Sequence, residues 1–110
     1  MIYKKLVRDK IPEIIAEQGK KVNFRTLEGD ELKKALKAKV VEEANELAKA
    51  ETKEQLLDEI ADLQEVITAL RIAYALKFYE AEDVRVTKAY KKGRFINGYF
   101  LESTEEETEQ

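Results

Sequence analysis

Apolar and polar residues in the middle of the chain alternate with the period of an α-helix. In residues 31–50 the apolar side chains return to one face, and in residues 52–78 they cover about half of the helix circumference. Thr52 and Gln55 have the spacing of a capping box, which predicts that one helix ends and the next begins there. The pattern therefore predicts two long helices joined by a tight turn into a hairpin.

Shorter segments flank this predicted hairpin. Residues 9–18 have the pattern of a short helix, with Asp9 near the N-cap, Pro12 in the first turn and Gly19 at the C-terminal end. Residues 21–27 alternate weakly in polarity, and we expect them to form an extended connector.

Glycine and asparagine mark the remaining boundaries. Gly29 and Asp30 are predicted to end the connector and to cap the second helix. A fourth helix is predicted over residues 81–92, stopped by Gly93, with an Asn-Gly turn at residues 97–98. Together these patterns predict an all-α fold, an antiparallel helical bundle built on a central helical hairpin.

Composition narrows the class of protein. The chain has 110 residues, of which 44% are apolar and 39% charged, which is typical of one soluble, helix-rich domain. No apolar run reaches the length of a membrane span and the N-terminus is charged, so we expect a cytoplasmic protein without a membrane partner. Cysteine and histidine are absent, which excludes disulfides, imidazole bases and the usual zinc sites. Any metal must be bound by oxygen.

Acidic residues concentrate at the C-terminal end. The net charge is −3, and five of the 23 acids follow Leu101. We therefore expect residues 102–110 to be a disordered, solubilising tail and residues 1–101 to form a single domain. The basic residues are not gathered into one stripe, so a nucleic-acid polymer is not an expected partner.

Acids also interrupt the apolar faces of the two long helices. Glu43 falls inside the apolar arc of the second helix, Glu46 lies on its shoulder, and Glu42 is rotated toward the polar side. On the third helix, Glu59 lies within the apolar face and Asp62 at its margin. Each inward pair is spaced i, i+3, and both pairs lie at similar distances from the turn, so we expect them to face each other.

Four facing carboxylates repel each other by an amount comparable with the stability of a whole domain. A bound divalent cation relieves this repulsion while the acids stay ionised and inward, which favours a metal site over simple packing. The alternative is a bundle whose seam acids form salt bridges with Lys39 or Arg71. A further alternative is a helical protein-interaction module without catalytic activity, whose acids form salt bridges with a basic partner.

The acids have a recognisable joint arrangement. Glu42-Glu43-x-x-Glu46 and Glu59-x-x-Asp62 are separated by twelve residues that contain the turn. This arrangement resembles the EExxE, spacer, ExxD signature of the MazG-like all-α nucleoside triphosphate pyrophosphohydrolases, which are related to phosphoribosyl-ATP pyrophosphohydrolase. The opening YKKLVRDKIPEIIAEQGKK and the ending KKGRFINGYFLE are similar to a small single-domain branch of that superfamily. The likeness covers nearly the whole chain before the tail.

The resemblance implies a hydrolase that cleaves the bond between the α- and β-phosphates of a nucleotide, releasing a monophosphate and pyrophosphate. It implies that Glu43, Glu46, Glu59 and Asp62 bind Mg²⁺, with Mn²⁺ as a substitute, and that Glu42 assists or reaches a further ion or the attacking water. Because histidine is absent, the general base would be Glu42 or Glu46. The substrate stays open among canonical or damaged triphosphates and an adduct such as phosphoribosyl-ATP.

Phosphate charge also requires counter-cations, and basic residues cluster near both ends of the chain. The predicted phosphate contacts are Arg8, Lys88, Lys91 and Arg94.

The third helix has a second apolar seam, nearly opposite the first, which a monomer of this size would struggle to cover. The residues of this second seam are Leu57, Ala61, Ile72, Ala75 and Tyr79. We therefore expect a homodimer or homotetramer with its sites at or near the subunit interface.

Overall fold

The computed structural model describes residues 1–106, which form four α-helices. These are α1 (Ile11–Glu17), α2 (Gly29–Lys49), α3 (Lys53–Ala73) and α4 (Phe78–Lys92). No strand occurs within residues 1–106, so the predicted all-α class is confirmed. Within the same residues, every helix is too short or too polar to cross a membrane.

The chain divides into two compact units. Met1–Lys77 contains α1 to α3, and Phe78–Gln110 contains α4. Of the predicted acidic tail, residues 102–106 are exposed and irregular, and Glu107 and Glu109 lie outside the described residues.

Helices α2 and α3 pack against each other as a hairpin. Only residues 50–52 connect them, so the two helices run antiparallel. The backbone N–H of Gln55 donates to Thr52 Oγ1 at 3.1 Å, and Gln55 Oε1 accepts from the N–H groups of Thr52 and Glu51 at 3.2 and 2.9 Å. The predicted capping box is confirmed, and it fixes where α3 begins.

The apolar interior of the hairpin is small. Among residues 1–106, Leu36 of α2 is the one buried side chain, with an exposed fraction of 5%. Leu63 and Leu70 of α3 are half-buried. On the second seam, Leu57 and Ile72 are 60% and 72% exposed. One side of α3 is therefore an uncovered apolar surface.

Helix α3 ends at Ala73, and the prediction that it continues to residue 78 is wrong. Ala75 has a φ angle of 55°, in the left-handed region. Its N–H and that of Leu76 donate to carbonyl oxygens of the last turn of α3 at 3.0 and 2.9 Å, which are the two bonds of a Schellman motif. Ala75 and Tyr79 therefore lie beyond α3 and do not belong to its second seam.

The start of α1 agrees with the prediction, and the start of α2 differs from it. Helix α1 has Lys10 as its N-cap residue, one position after Asp9, and no side chain caps it. Helix α2 begins at Gly29 with Glu28 as the N-cap residue, so the predicted cap by Gly29 and Asp30 is wrong. Asp30 lies in the first turn instead, where a negative charge interacts favourably with the helix dipole.

The remaining segments are irregular or begin earlier than predicted. Residues 21–27 form no regular structure. Helix α4 begins at Phe78, earlier than expected, and Gly93 follows its end with a φ angle of 83°, as predicted for a helix stop. Asn97 lies in a turn and Gly98 has a φ angle of 66°, so a turn forms there without strands beside it.

Candidate metal centre

The hairpin brings two acids of α3 to one acid of α2. Glu43 precedes Ala50 by seven residues and Glu59 follows Thr52 by seven, so both lie about 10 Å from the connection at a rise of about 1.5 Å per residue. Asp62 lies about one turn further along α3 on the same face. One carboxylate oxygen from each of Glu43, Glu59 and Asp62 lies within 4.8 Å of the others. We call these three residues the acidic cluster.

The acidic cluster has the chemistry of a site for a hard divalent cation. All its donor atoms are carboxylate oxygens, which Mg²⁺ and Mn²⁺ prefer over nitrogen and sulfur. The three side chains are half-buried, so water screens their charges less than at an open surface. Three protein oxygens leave coordination positions for water or phosphate oxygens, which is the usual arrangement for Mg²⁺ in phosphate chemistry. The residues therefore fit this ion.

The electrostatics of Glu59 reflect the crowding of negative charge. Partial burial raises the pKa of Glu59 above its ordinary value, and the neighbouring charges of Asp62, Asp58, Glu43 and Glu46 raise it further. Without a cation, the ionised form of this carboxyl group is therefore less stable, relative to the protonated form, than in an isolated glutamate.

Two cations of the chain partly offset this charge. The Nη2 atom of Arg8 donates to Asp62 Oδ1 at 2.6 Å. The ammonium group of Lys39 lies 3.6 Å from Glu43 Oε1 and 3.3 Å from both carboxylate oxygens of Glu42. The salt-bridge alternative is thus realised in part, for Lys39.

The compensation is incomplete. Within residues 1–106, no ion pair reaches Glu59, although it is the acid with the raised pKa. Arg71, the other cation of the salt-bridge alternative, forms no ion pair in that range, and its Nε atom is buried without a hydrogen-bond partner. The cluster therefore retains negative charge that no cation of residues 1–106 pairs.

Two predicted site residues lie outside the acidic cluster. Glu46 is exposed and is not among the three acids whose oxygens converge, although its charge still contributes to the raised pKa of Glu59. Glu42 is paired with Lys39, and its side chain is 43% exposed. Metal binding by Glu46, and a general-base role for either residue, stay predictions.

A surface hollow of about 260 Å³ lies where the N-terminal segment meets α2. It is lined by Lys4, Lys5, Leu6, Ala35, Ala38, Lys39 and Glu42. Lys39 both lines this hollow and pairs with Glu43, so the lysine-lined hollow adjoins the acidic cluster. Lys4 has a φ angle of 45°, a backbone conformation that non-glycine residues adopt rarely and that often occurs at functional sites.

The sequence patterns did not identify Lys4 and Lys39 as residues that line a hollow next to the acidic cluster. For Lys39, the signal was its position four residues before Glu43, which places both side chains on one helix face. For Lys4 no signal exists, because its place beside α2 depends on how an irregular segment folds back.

The other predicted phosphate contacts belong to the second unit. Lys88, Lys91 and Arg94 are exposed there. Arg94 lines a hollow of about 220 Å³ together with Phe95, Asn97, Gly98 and Tyr99. Their role in binding phosphate stays a prediction.

The fold and the site together define a class: an all-α protein with carboxylates converging between two antiparallel helices. No protein-family model matches the chain. No solved structure matches it either. The chain is similar to an uncharacterized protein of Mycolicibacterium smegmatis, with 47% identity over 53 residues. This alignment covers 48% of the chain and 54% of the relative, so the chain spans about half the length of the curated relative it matches.

Proposed function

We propose that the protein is a MazG-like, Mg²⁺-dependent nucleotide pyrophosphohydrolase, which cleaves the bond between the α- and β-phosphates and releases a nucleoside monophosphate and pyrophosphate. The observation that supports this proposal is the convergence of Glu43, Glu59 and Asp62, with one oxygen of each within 4.8 Å of the others. An all-α chain with a packed central hairpin agrees with the resemblance to that superfamily.

In this proposal the acidic cluster holds Mg²⁺, or Mn²⁺ in its place, and Glu46 joins as a fourth ligand by rotating its exposed side chain inward. A bound Mg²⁺ would neutralise further phosphate charge and would lower the pKa of the attacking water. The general base would be Glu42 or Glu46: Glu42 would have to leave its ion pair with Lys39, and Glu46 would serve only when it does not bind the metal.

The cations of the first unit bind the remaining phosphate oxygens. Arg8 lies next to Asp62, and Lys39 next to Glu43, so positive charge flanks the cluster at two points. Lys4 and Lys5 extend this charge along the hollow. A polyphosphate chain carries several negative charges, and a lysine-lined hollow beside three carboxylates attracts it only when a cation neutralises those carboxylates.

Pyrophosphate release from a nucleotide panel tests the proposal. The full chain is incubated with MgCl₂ or MnCl₂ and with canonical and damaged triphosphates or phosphoribosyl-ATP. We expect activity with at least one of these, and we expect Glu59→Gln and Asp62→Asn to lower it by at least about 100-fold because each removes a ligand. Glu65→Gln is the matched control, since it neutralises an exposed acid about one turn beyond Asp62. Near-normal turnover in Glu59→Gln would contradict the proposal.

A second candidate function is a helical interaction module whose acids are partnered by the chain itself. The Arg8–Asp62 and Lys39–Glu43 ion pairs favour it, because they satisfy two of the three acids without a metal. This candidate requires that divalent cations leave the melting temperature unchanged and that no nucleotide is hydrolysed. A rise in melting temperature with MnCl₂ that is lost in Glu59→Gln would exclude it.

We also propose that the protein is a cytoplasmic homodimer or homotetramer whose subunits meet at the second seam of α3. Leu57 and Ile72 are 60% and 72% exposed there, and Val41 of α2 is 61% exposed. Burying such side chains removes water from apolar area that the hairpin leaves open. Analytical ultracentrifugation tests this: Leu57→Lys with Ile72→Lys should shift the protein toward monomer. A monomeric unaltered chain at all concentrations would overturn it.

A further inference from the structure

Arg8 is held at the acidic cluster by the N-terminal segment. Its Nη2 atom donates to Asp62 Oδ1 at 2.6 Å, across 54 positions of sequence. The carbonyl oxygen of Arg8 accepts from the N–H of Ile11 at 3.0 Å, so a turn leading into α1 fixes its backbone. The Arg8 side chain is 60% exposed, which leaves the guanidinium group free to turn while its backbone stays in place.

The contact between Arg8 and Asp62 conflicts with metal binding. Asp62 is one of three residues that fit a divalent cation, yet its Oδ1 atom already accepts from a guanidinium group. A guanidinium group and a divalent cation compete for the same carboxylate group and repel each other at short range. The guanidinium group binds phosphate oxygens with the same fork of donors that binds a carboxylate.

We propose that Arg8 is a positioning residue that exchanges partners. In the metal-free protein it neutralises Asp62, and when a divalent cation takes Asp62 the guanidinium group transfers to a phosphate oxygen of the ligand. The proposal rests on the proposed function in two respects, namely that the acidic cluster binds a divalent cation and that the ligand carries phosphate. No bond is made or broken in the exchange, only hydrogen bonds and an ion pair.

The exchange makes Arg8 oppose metal binding and favour phosphate binding, so its removal has effects of opposite sign. In Arg8→Gln the carboxylate of Asp62 has no competing cation, and we expect Mn²⁺ to bind at least about threefold more tightly. The same variant lacks the fork that receives phosphate, and we expect pyrophosphate to bind the Mn²⁺-loaded protein at least about tenfold more weakly. If Arg8 only supported the fold, Arg8→Gln would weaken the binding of both Mn²⁺ and pyrophosphate.

Calorimetry on the full chain separates these outcomes. MnCl₂ is titrated first, and the manganese–pyrophosphate complex is then titrated into protein saturated with Mn²⁺. Arg25→Gln is the matched control, because Arg25 forms an ion pair at 2.8 Å with Glu31, outside the acidic cluster, and its side chain is 70% exposed. We expect this control to leave both affinities unchanged.

A second variant keeps the test decisive if Arg8→Gln folds poorly by circular dichroism. Arg8→Lys retains the charge but not the planar fork, so we expect Mn²⁺ affinity close to that of the unaltered chain and pyrophosphate affinity lowered by at least about threefold. Unchanged or weaker Mn²⁺ binding in Arg8→Gln overturns the proposal, and so does unchanged pyrophosphate binding in both variants.

The same measurements distinguish the exchange from the proposed function. Opposite shifts in the two affinities, without hydrolysis of any nucleotide, would support the exchange and contradict the enzymatic activity. Hydrolysis that persists while Arg8→Gln leaves Mn²⁺ affinity unchanged would support the activity and overturn the exchange.

Discussion

Neutralising Asp62 should separate the acidic cluster's role in metal binding from its role in stability. In the metal-free protein, Asp62→Asn removes an ion pair to Arg8 in which the side chains are 60% and 34% exposed. Pairs this exposed contribute about 0.2 to 1 kcal/mol, and weaker repulsion from Glu43 and Glu59 offsets part of the loss. We therefore expect metal-free Asp62→Asn to melt no more than about 5 °C below the unaltered chain.

A divalent cation should change the melting temperature of the unaltered chain by more than the loss of the Arg8–Asp62 ion pair does. At a concentration about 100 times the dissociation constant, a ligand that binds the folded state alone adds about 2.7 kcal/mol of stability, which raises the melting temperature by roughly 10 °C or more. Removing one of three carboxylate ligands should weaken binding by at least about 100-fold, so at the same concentration Asp62→Asn gains less than about 0.5 kcal/mol.

Thermal unfolding followed by circular dichroism, with and without MnCl₂ or MgCl₂, measures both quantities on the same samples. Glu65→Gln serves as the control for removing a negative charge from α3 outside the cluster, and it should keep the full metal-induced rise. Equal stabilisation of Asp62→Asn and the unaltered chain by Mn²⁺, or no response of either, would show that the acidic cluster does not bind the ion.

Further predictions concern the hairpin and its titration. Ala75→Gly should raise the free energy of unfolding by about 0.5 to 1 kcal/mol in urea, because Ala75 has a φ angle of 55°, whereas Ala61→Gly inside α3 should lower it by a similar amount. Leu36→Ala should cost about 2 to 5 kcal/mol in the same assay, since Leu36 is only 5% exposed. The pKa of Glu59 is raised above 4.5, so the folded state holds the proton more tightly than the unfolded state. The contribution of this proton to the free energy of unfolding is full below the ordinary pKa of glutamate and is lost as the pH rises through the raised pKa of Glu59. Between these two pKa values, the free energy of unfolding of the metal-free protein in urea should therefore fall relative to that of Glu59→Gln. Mn²⁺ affinity measured by calorimetry should rise over the same range, because the ion requires the ionised carboxylate.

The hairpin was predictable because its signals are local. Thr52 and Gln55 are three residues apart, and their mutual hydrogen bonds begin α3 at Lys53, where the spacing placed it. Helical periodicity then placed Glu43 and Glu59 on the apolar faces of their helices. Because the connection is short and the helices are antiparallel, two residues at equal distances from the connection lie side by side.

Other features could not be read from local pattern. Helix α3 ends in a Schellman motif with Ala75 at the position where glycine is usual, so the stop carried no sequence signal. The contact between Arg8 and Asp62 joins residues 54 positions apart. The N-terminal segment is irregular, so no periodicity predicts which of its basic residues contacts the acidic cluster. Lys4 beside α2 depends on the same segment.

The antiparallel geometry places Glu46 and Asp62 on opposite sides of Glu43 and Glu59 along the hairpin axis, and of these two only Asp62 is in the acidic cluster. Counted from the connection, Glu43 and Glu59 lie at about 10 Å, but Glu46 lies at about 6 Å and Asp62 at about 15 Å, because i, i+3 steps run toward the turn on α2 and away from it on α3. The two outer acids are thus about 9 Å apart along the axis. An ion bound between Glu43 and Glu59 would therefore have Glu46 on one side along the axis and Asp62 on the other. Since Asp62 already converges and Glu46 must rotate, Glu46→Gln should weaken Mn²⁺ binding in calorimetry by less than about tenfold. An effect as large as that of Asp62→Asn would show that the ion lies nearer the connection.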